Sequence, residues 1–243
     1  MSDELEQAKY ELAVANRIVA YEGVLDAFGH ISMRHPQASD RYLLARSRGP
    51  ELVAPADVLE FTMDSKPVSR TDEGSLYGER VIHSAIYKAR PDVNAVCHHH
   101  SSAILPYCIA DVPLVPVYHQ GATMGFDVPV WDSRTEFGNT NLMVVTPEEG
   151  DSLARALGAH WMVLMRRHGA TVVGTSIREC VFRSIYSDRN AEFQWKAQLF
   201  GKIEPLNREE AQLAGPHNLR PKPITRAWEY WTRRLEKAGE LPG

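Results

Sequence analysis

Residues 79–101 read ERVIHSAIYKARPDVNAVCHHHS, and the interpretation of the whole chain starts there. The segment 75–89 has helical spacing of its apolar residues. Pro91 ends the helix, because its ring disfavours helical backbone at Arg90. Residues 93–98 then read as a buried strand and 101–109 as a short helix. Strand side chains alternate between faces, so His98 and His100 point one way and His99 the other. Two imidazoles on one edge of a strand end can bite a divalent cation, and imidazole suits zinc, iron, cobalt or nickel. The plain alternative is a solvated polar turn. A third ligand has to come from elsewhere, and His168 in RRHG (166–169) is the best placed, again where an apolar strand ends and Gly169 allows a tight turn. Taken alone, His168 reads as an ordinary loop histidine. Glu79 places a carboxylate just before the His98 strand, where it can serve as acid, base or transient ligand. The competing reading is a solvated glutamate paired with Lys or Arg. His83, four residues on, shares its helix face and reads as structural.

Outward from this stretch the pattern alternates. A helix spans 4–22, followed by short strands at 31–34, 42–45 and 58–63 separated by Pro36, Gly49-Pro50 and Pro55. Strands are expected at 128–131 and 142–145, with a helix over 147–159 that has Glu148 and Glu149 in its first turn, where the dipole favours anions. Two strands, 161–165 and 171–173, meet at Arg167-His168-Gly169, and a long helix over 176–200 is capped by Ser176 or Thr175. Beyond 203 come Pro205, Pro216, Pro221 and Pro223, then a helix over 225–238 carrying Trp228 and Trp231 on one face. The chain divides accordingly into 1–203, a catalytic unit, and 204–243, a Pro-rich segment and helix expected to dock. Strands alternating with helices define an α/β protein.

Composition narrows the function. With 243 residues, 44% of them hydrophobic, the chain is long enough for one large domain. Its 27 Lys+Arg against 31 Asp+Glu give a net charge of −4 with no basic stripe, so nucleic-acid binding is not expected. No run of about 18 apolar residues suggests a membrane span, and the acidic start MSDELEQAKYE does not read as a signal peptide. Cys97, Cys108 and Cys180 are too few and too scattered for a disulfide framework, so a cytoplasmic location is expected. Cys97 points away from His98 and His100 and is expected in the core.

The combination of Glu79, RPD (90–92), His98-x-His100 and His168-Gly169 resembles the class II aldolase/adducin family over roughly residues 5–200. The resemblance implies a three-layer α/β/α sandwich around a mainly antiparallel sheet, and a homotetramer with sites at subunit interfaces. It also implies one divalent metal per subunit on His98, His100 and His168, zinc first, with iron, cobalt or manganese also acceptable, and Glu79 as catalytic acid/base. Sugar-phosphate members carry G-N-x-S, a T-G loop and a serine pair before the glutamate. Here these positions read Gly29-His30-Ile31-Ser32, Arg46-Ser47-Arg48-Gly49-Pro50 and Tyr77-Gly78. The hydroxyls a phosphate dianion wants are missing, whereas two arginines beside a serine suit a planar carboxylate. GHISMRHP (29–36), RSRGPELV (46–53), LYGER (76–80), PVYH (116–119) and FRSIY (182–186) resemble the branch of metal-dependent decarboxylases acting on 3,4-dihydroxyphthalate or hydroxy-carboxymuconate semialdehydes.

The expectation is therefore decarboxylation of a hydroxylated aromatic or muconate-type acid. A cation would stabilise the enolate left by CO2, and Glu79, its pKa raised by apolar neighbours, would donate the proton. Arg46, Ser47 and Arg48 would orient the remaining carboxylate, with His30 and Ser32 at the substrate hydroxyl. Tyr118 and His119 correspond to a region that in the family reaches a neighbouring subunit's site, and Tyr186 is a further substrate-binding candidate. A class II aldolase or epimerase on a hydroxy-carbonyl compound is the alternative. A non-catalytic adducin-like interaction module is the third reading, and the complete histidine set speaks against it.

Overall fold

The structure, a computed structural model, describes residues 3–69, 71–72 and 75–243. Its elements are α1 (Asp3–Tyr21), β1 (His30–Arg34), β2 (Arg41–Ala45), β3 (Val58–Thr62), α2 (Val81–Ala89), β4 (Ala95–His99), α3 (Leu105–Ile109), β5 (Val130–Trp131), α4 (Arg134–Phe137), α5 (Pro147–Leu157), β6 (Met162–Met165), β7 (Gly169–Gly174), α6 (Ile177–Gln198), α7 (Arg208–Asn218) and α8 (Pro221–Ala238). The strands form one sheet in the order β3-β2-β1-β4-β7-β6-β5, antiparallel throughout except for β5 beside β6.

Period-two alternation sorts the side chains into two layers. Ile31, Leu43, Ala95 and Cys97 pack with Leu12 and Ile18 of α1 and Val181 and Ile185 of α6. Their strand neighbours Tyr42, Leu44, Val96 and Val173 face the other way, onto Ile82 and Ile86 of α2 and Leu153 and Leu157 of α5. Helices on both faces make the expected α/β/α sandwich, and Cys97 lies in its core. At the β6–β7 end, Met162, Leu164, Ala170 and Val172 pack with Tyr107 and Cys108 of α3 and Ala191 of α6. Both outer edges of the sheet are short or covered. β5 has two residues. The open side of β3 is met by the returning chain, where Val68 N donates to Glu60 O and Thr62 N to Lys66 O.

Four local readings differ from the sequence expectation. The helix expected from residue 75 begins at Val81, preceded by a 3-10 turn over Gly78–Arg80 in which Glu79 has φ −87° and ψ 17°. Residues 142–145 are not a strand. Leu142 has φ 69°, and the following amides bond to side chains rather than to a neighbouring strand, Met143 N to Asn141 and Val144 N and Val145 N to the carboxylates of Glu79 and Glu149. The helix α7 was hidden by Gly215 and Pro216, which fall near its end, Gly215 being pressed against Ala122 O. The last helix starts at Pro221, not 225, because prolines are tolerated in a first helical turn. Its Trp231 and Leu235 are buried in the α1/α6 layer.

Candidate metal centre

Three imidazoles converge at the junction of β4 and β7. The Nε2 atoms of His98 and His100 lie 3.0 Å apart, and those of His100 and His168 lie 3.1 Å apart. Their origins follow from the backbone. His98 is in β4, and His100, two residues on, returns to the same face. His168 sits at the β6–β7 turn, whose tip is Arg167 with φ 56°. Gly169 is required here, since a Cβ would sit 2.2 Å from His99 O and 2.9 Å from the His100 ring.

The tautomer of His98 is set from behind. Its Nδ1 lies 3.1 Å from Ala170 O, a group that only accepts, so Nδ1 carries the proton and Nε2 presents a lone pair. Glu79 closes the cluster, with Oε2 3.5 Å from His98 Nε2 and Oε1 3.5 Å from His168 Nε2. The four donor atoms lie within 4.8 Å of one another. Three Nε2 atoms aimed at one point cannot all pair by hydrogen bonds, whereas one cation satisfies three lone pairs together. Tetrahedral or octahedral bonds of about 2.0–2.1 Å would hold such nitrogens roughly 2.9–3.4 Å apart, so the observed spacing fits a divalent cation.

The carboxyl of Glu79 overturns one expectation. Burial pushes it up, but in the metal-free chain His168 and His98, when their Nε2 atoms carry protons, donate to it, outweigh burial and hold it well below the usual carboxylate range. Val144 N also donates to Oε1, at 3.0 Å. The group is an anchored carboxylate, not an acid raised by apolar neighbours. Burial lowers His100 to about 4, with His98 and His168 adding to the effect. His99 is buried on the opposite face, lowered to about 3 by the same burial.

A cavity of about 420 Å³ opens onto this cluster, lined among others by His30, Ser47, Arg48, Tyr77, Glu79 and His100. His30 pairs with His98 across β1–β4. Its Nδ1 is 2.6 Å from His83 Nε2, and its ring lies against Tyr77 with centroids 4.5 Å apart. Burial, first, then His83 and His98, lower His30 well below the ordinary imidazole value. His83 is lowered to about 3, again chiefly by burial. Arg48 and Arg46 both reach Asp57, at 3.3 and 2.7 Å, and the Nε of Arg48 is buried with no partner among the described residues. The Tyr77 hydroxyl donates to Arg48 O and receives Arg48 N, tying the arginine loop to the His30 wall.

Several expected residues lie elsewhere. Ser32 is fully buried, its hydroxyl between His83 and Tyr87, so it does not touch a ligand. Arg46 flanks Asp57 outside the cavity wall. Tyr186 packs on Phe182 and Trp231, at 4.3 and 6.1 Å, and lines a separate groove with Arg226 and Tyr230. Its ring is held there because α8 buries Trp231 against α6, so it is not part of this cavity. Tyr118 and His119 also lie outside it. The Tyr118 ring meets Phe193 at 5.1 Å, and His119 O accepts from Asn218. The sequence reading missed Asp57 and the Val144 amide, which carry no local signal. Tyr77 and His83 are noted in the sequence, His83 as structural, but nothing there shows that Tyr77 lines the cavity or that His83 bonds to His30.

Sheet order and layers define an α/β/α protein with a mainly antiparallel sheet, and its donor set is one that suits a divalent cation. The chain belongs to the class II aldolase and adducin N-terminal domain family, whose profile matches residues 10–195. It is 34% identical over 238 residues to the decarboxylase tropJ of Talaromyces stipitatus, covering 89% of each chain. It is 29% identical over 198 residues to a 3,4-dihydroxyphthalate decarboxylase of Arthrobacter keyseri, covering 74% of this chain and 75% of the relative. In fold it is similar to the L-fuculose 1-phosphate aldolase of Glaciozyma antarctica, with a TM-score of 0.80 at 23% identity over 99% of this chain and 93% of the other. Among the described residues, no helix is long and apolar enough to cross a membrane.

Proposed function

We propose that this protein is a divalent-metal-dependent decarboxylase of a hydroxylated aromatic or muconate-type carboxylic acid, with 3,4-dihydroxyphthalate as the first substrate to test. The observation that carries the reading is one cavity joining two chemistries: three convergent imidazoles with a carboxylate at one end, and an arginine with an unpaired buried Nε–H at the other. Relatives named as decarboxylases support the reaction class.

His98, His100 and His168 would hold the cation, zinc first, with iron, cobalt and manganese as the other candidates. When bound, it supplies an electron sink for the pair left on carbon as the C–C bond to CO2 breaks. Arg48, with Ser47 beside it and Asp57 fixing its guanidinium together with that of Arg46, grips the carboxylate that stays. Since the two arginines share one aspartate, the loop carries a single uncompensated positive charge, a match for one carboxylate and not for a phosphate dianion. Glu79 starts ionised. It takes the proton of the substrate hydroxyl onto a carboxylate oxygen and returns it to the carbon that CO2 leaves, and the product phenolate regains a proton from water. His30 hydrogen-bonds a substrate oxygen. Tyr118 and His119, absent from this chain's own cavity, are assigned to the site of a neighbouring subunit in a homotetramer. Exposed Phe193 beside Tyr118 and the exposed Leu199 and Phe200 supply apolar surface for that contact.

The test is to load the metal-free protein separately with zinc, iron(II), cobalt or manganese, add 3,4-dihydroxyphthalate, and follow CO2 and protocatechuate. Release of an aldehyde from hydroxy-carbonyl compounds, with no CO2 from any hydroxylated aromatic or muconate acid, would replace this reading by the aldolase one.

A further inference from the structure

A line of buried polar groups runs away from the cavity behind His30. His30 Nδ1 lies 2.6 Å from His83 Nε2, His83 Nδ1 lies 2.6 Å from Ser32 Oγ, and Ser32 Oγ lies 2.7 Å from the Tyr87 hydroxyl. Ser32 and His83 are fully buried and Tyr87 is 2% exposed. Two elements meet in it, because β1 supplies His30 and Ser32 on one face, two residues apart, and α2 supplies His83 and Tyr87, four residues apart.

We propose that Tyr87, Ser32 and His83 are positioning residues that hold His30 as a hydrogen-bond donor, through Nε2–H, toward the cavity. The direction of the line follows from counting protons. Among the described residues, Ser32 is the only hydrogen-bond partner of the Tyr87 hydroxyl. If Tyr87 donates to Ser32, Ser32 donates to His83 Nδ1, and His83 Nε2–H donates to His30 Nδ1. Every proton then has an acceptor, and His30 keeps its own proton on Nε2. Run the other way, His30 Nδ1–H donates inward and the line ends on a buried Tyr87 O–H with nothing to accept it. An unpaired buried hydroxyl disfavours that arrangement by about tenfold to a hundredfold. Among the described residues His30 Nε2 has no hydrogen-bond partner, and it is the ring nitrogen left for a ligand. The inference rests on the decarboxylase reading for its substrate. It adds one requirement to that reading: the group at His30 must be an acceptor, such as a carbonyl, a carboxylate oxygen or a deprotonated hydroxyl.

The direct measurement is a long-range ¹H–¹⁵N spectrum of the zinc-loaded full chain with ¹⁵N-labelled histidine, the His30 signals being those lost in His30→Asn. A protonated Nε2 and a bare Nδ1 are expected. A protonated Nδ1 overturns the inference. The second measurement separates positioning from packing. His83→Leu should lower kcat/KM for the decarboxylated substrate by about tenfold, with zinc content unchanged. His83→Gln, whose amide can donate to His30 and accept from Ser32, should recover most of it. Equal losses in the two variants overturn the positioning role. If no acid is decarboxylated at all, the functional reading fails while the spectrum still decides the state of His30.

Discussion

Gly169→Ala is the substitution that tests the metal centre most directly, because it changes no ligand. The added methyl would lie 2.2 Å from His99 O, 2.9 Å from His100 Cδ2 and 3.2 Å from His99 C. Ordinary contact begins near 3.4 Å, so the β4 end and β7 must separate by about 1.2 Å at the point where His99 pairs with Ala170. Neither obstacle is a flexible side-chain tip, since one is backbone and the other is a ring held by its neighbours. Overpacking of this kind costs about 1–3 kcal/mol. At roughly 2–4 °C per kcal/mol for a chain of this size, that lowers Tm by about 2–12 °C in calorimetry of the metal-free protein. A displaced His100 ring should also weaken metal binding by about 10–100-fold, the range seen when the support of a ligand is disturbed. The affinity is read by titration against a competing chelator. Gly49→Ala is the matched control, since Gly49 lines the same cavity and its nearest obstacle is Ala27 O at 4.0 Å. Gly169→Ala with native Tm and native affinity would refute the placement of His168 against His100.

Other outcomes follow from the same geometry. Glu79→Gln should keep the metal, measured by elemental analysis, while kcat falls about 10²–10⁴-fold; undiminished turnover removes Glu79 from the proton path. Arg48→Lys should raise KM by about tenfold or more with kcat little changed, since an ammonium cannot reproduce the planar fork; an unaltered KM places the carboxylate elsewhere. The metal-free protein should lose stability as pH falls from about 6.5 toward 4. His83 and His99, lowered to about 3, and His100, lowered to about 4, stay neutral in the folded chain and take protons on unfolding. Asp188, raised to about 6 by burial, works in the opposite sense but stands against these three and His30, which burial also lowers. Urea titrations that give a flat profile over this window contradict the burial of these rings. Trp231→Ala should cost about 3–5 kcal/mol in denaturant unfolding, and a loss under about 1 kcal/mol would mean that α8 is not part of the core.

What was legible in the sequence was whatever depends on period and spacing. The alternation of His98 and His100, the helix ending before Pro91 and the strand pair flanking His168 all read correctly, because each is a local consequence of backbone geometry. The fold layers came with the resemblance, which also joined Glu79 to the three histidines already picked out by spacing as candidate ligands. What stayed hidden depends on contacts distant along the chain. Residues 142–145 have strand composition, yet their amides are claimed by side chains, those of Leu142 and Met143 by Thr140 and Asn141 and those of Val144 and Val145 by Glu79 and Glu149. The lowered Glu79 carboxyl could not be read from its apolar sequence neighbours, since the deciding imidazoles stand 19 and 89 positions away. Ser32 carried a motif position and looked like a ligand contact, but register against β2 and β4 turned it inward onto α2.

The two ends of the seven-stranded sheet bear on how copies of this chain can meet. One margin is a two-residue strand, and the other has its outward backbone groups already engaged by the returning segment at 66–68. Among the described residues, neither presents a long free row of amides and carbonyls that another chain could extend by strand addition. Association must therefore run through side chains on helices and loops, where partners are selected by shape. The same arrangement guards the native protein against ribbon-like aggregation during storage or overexpression.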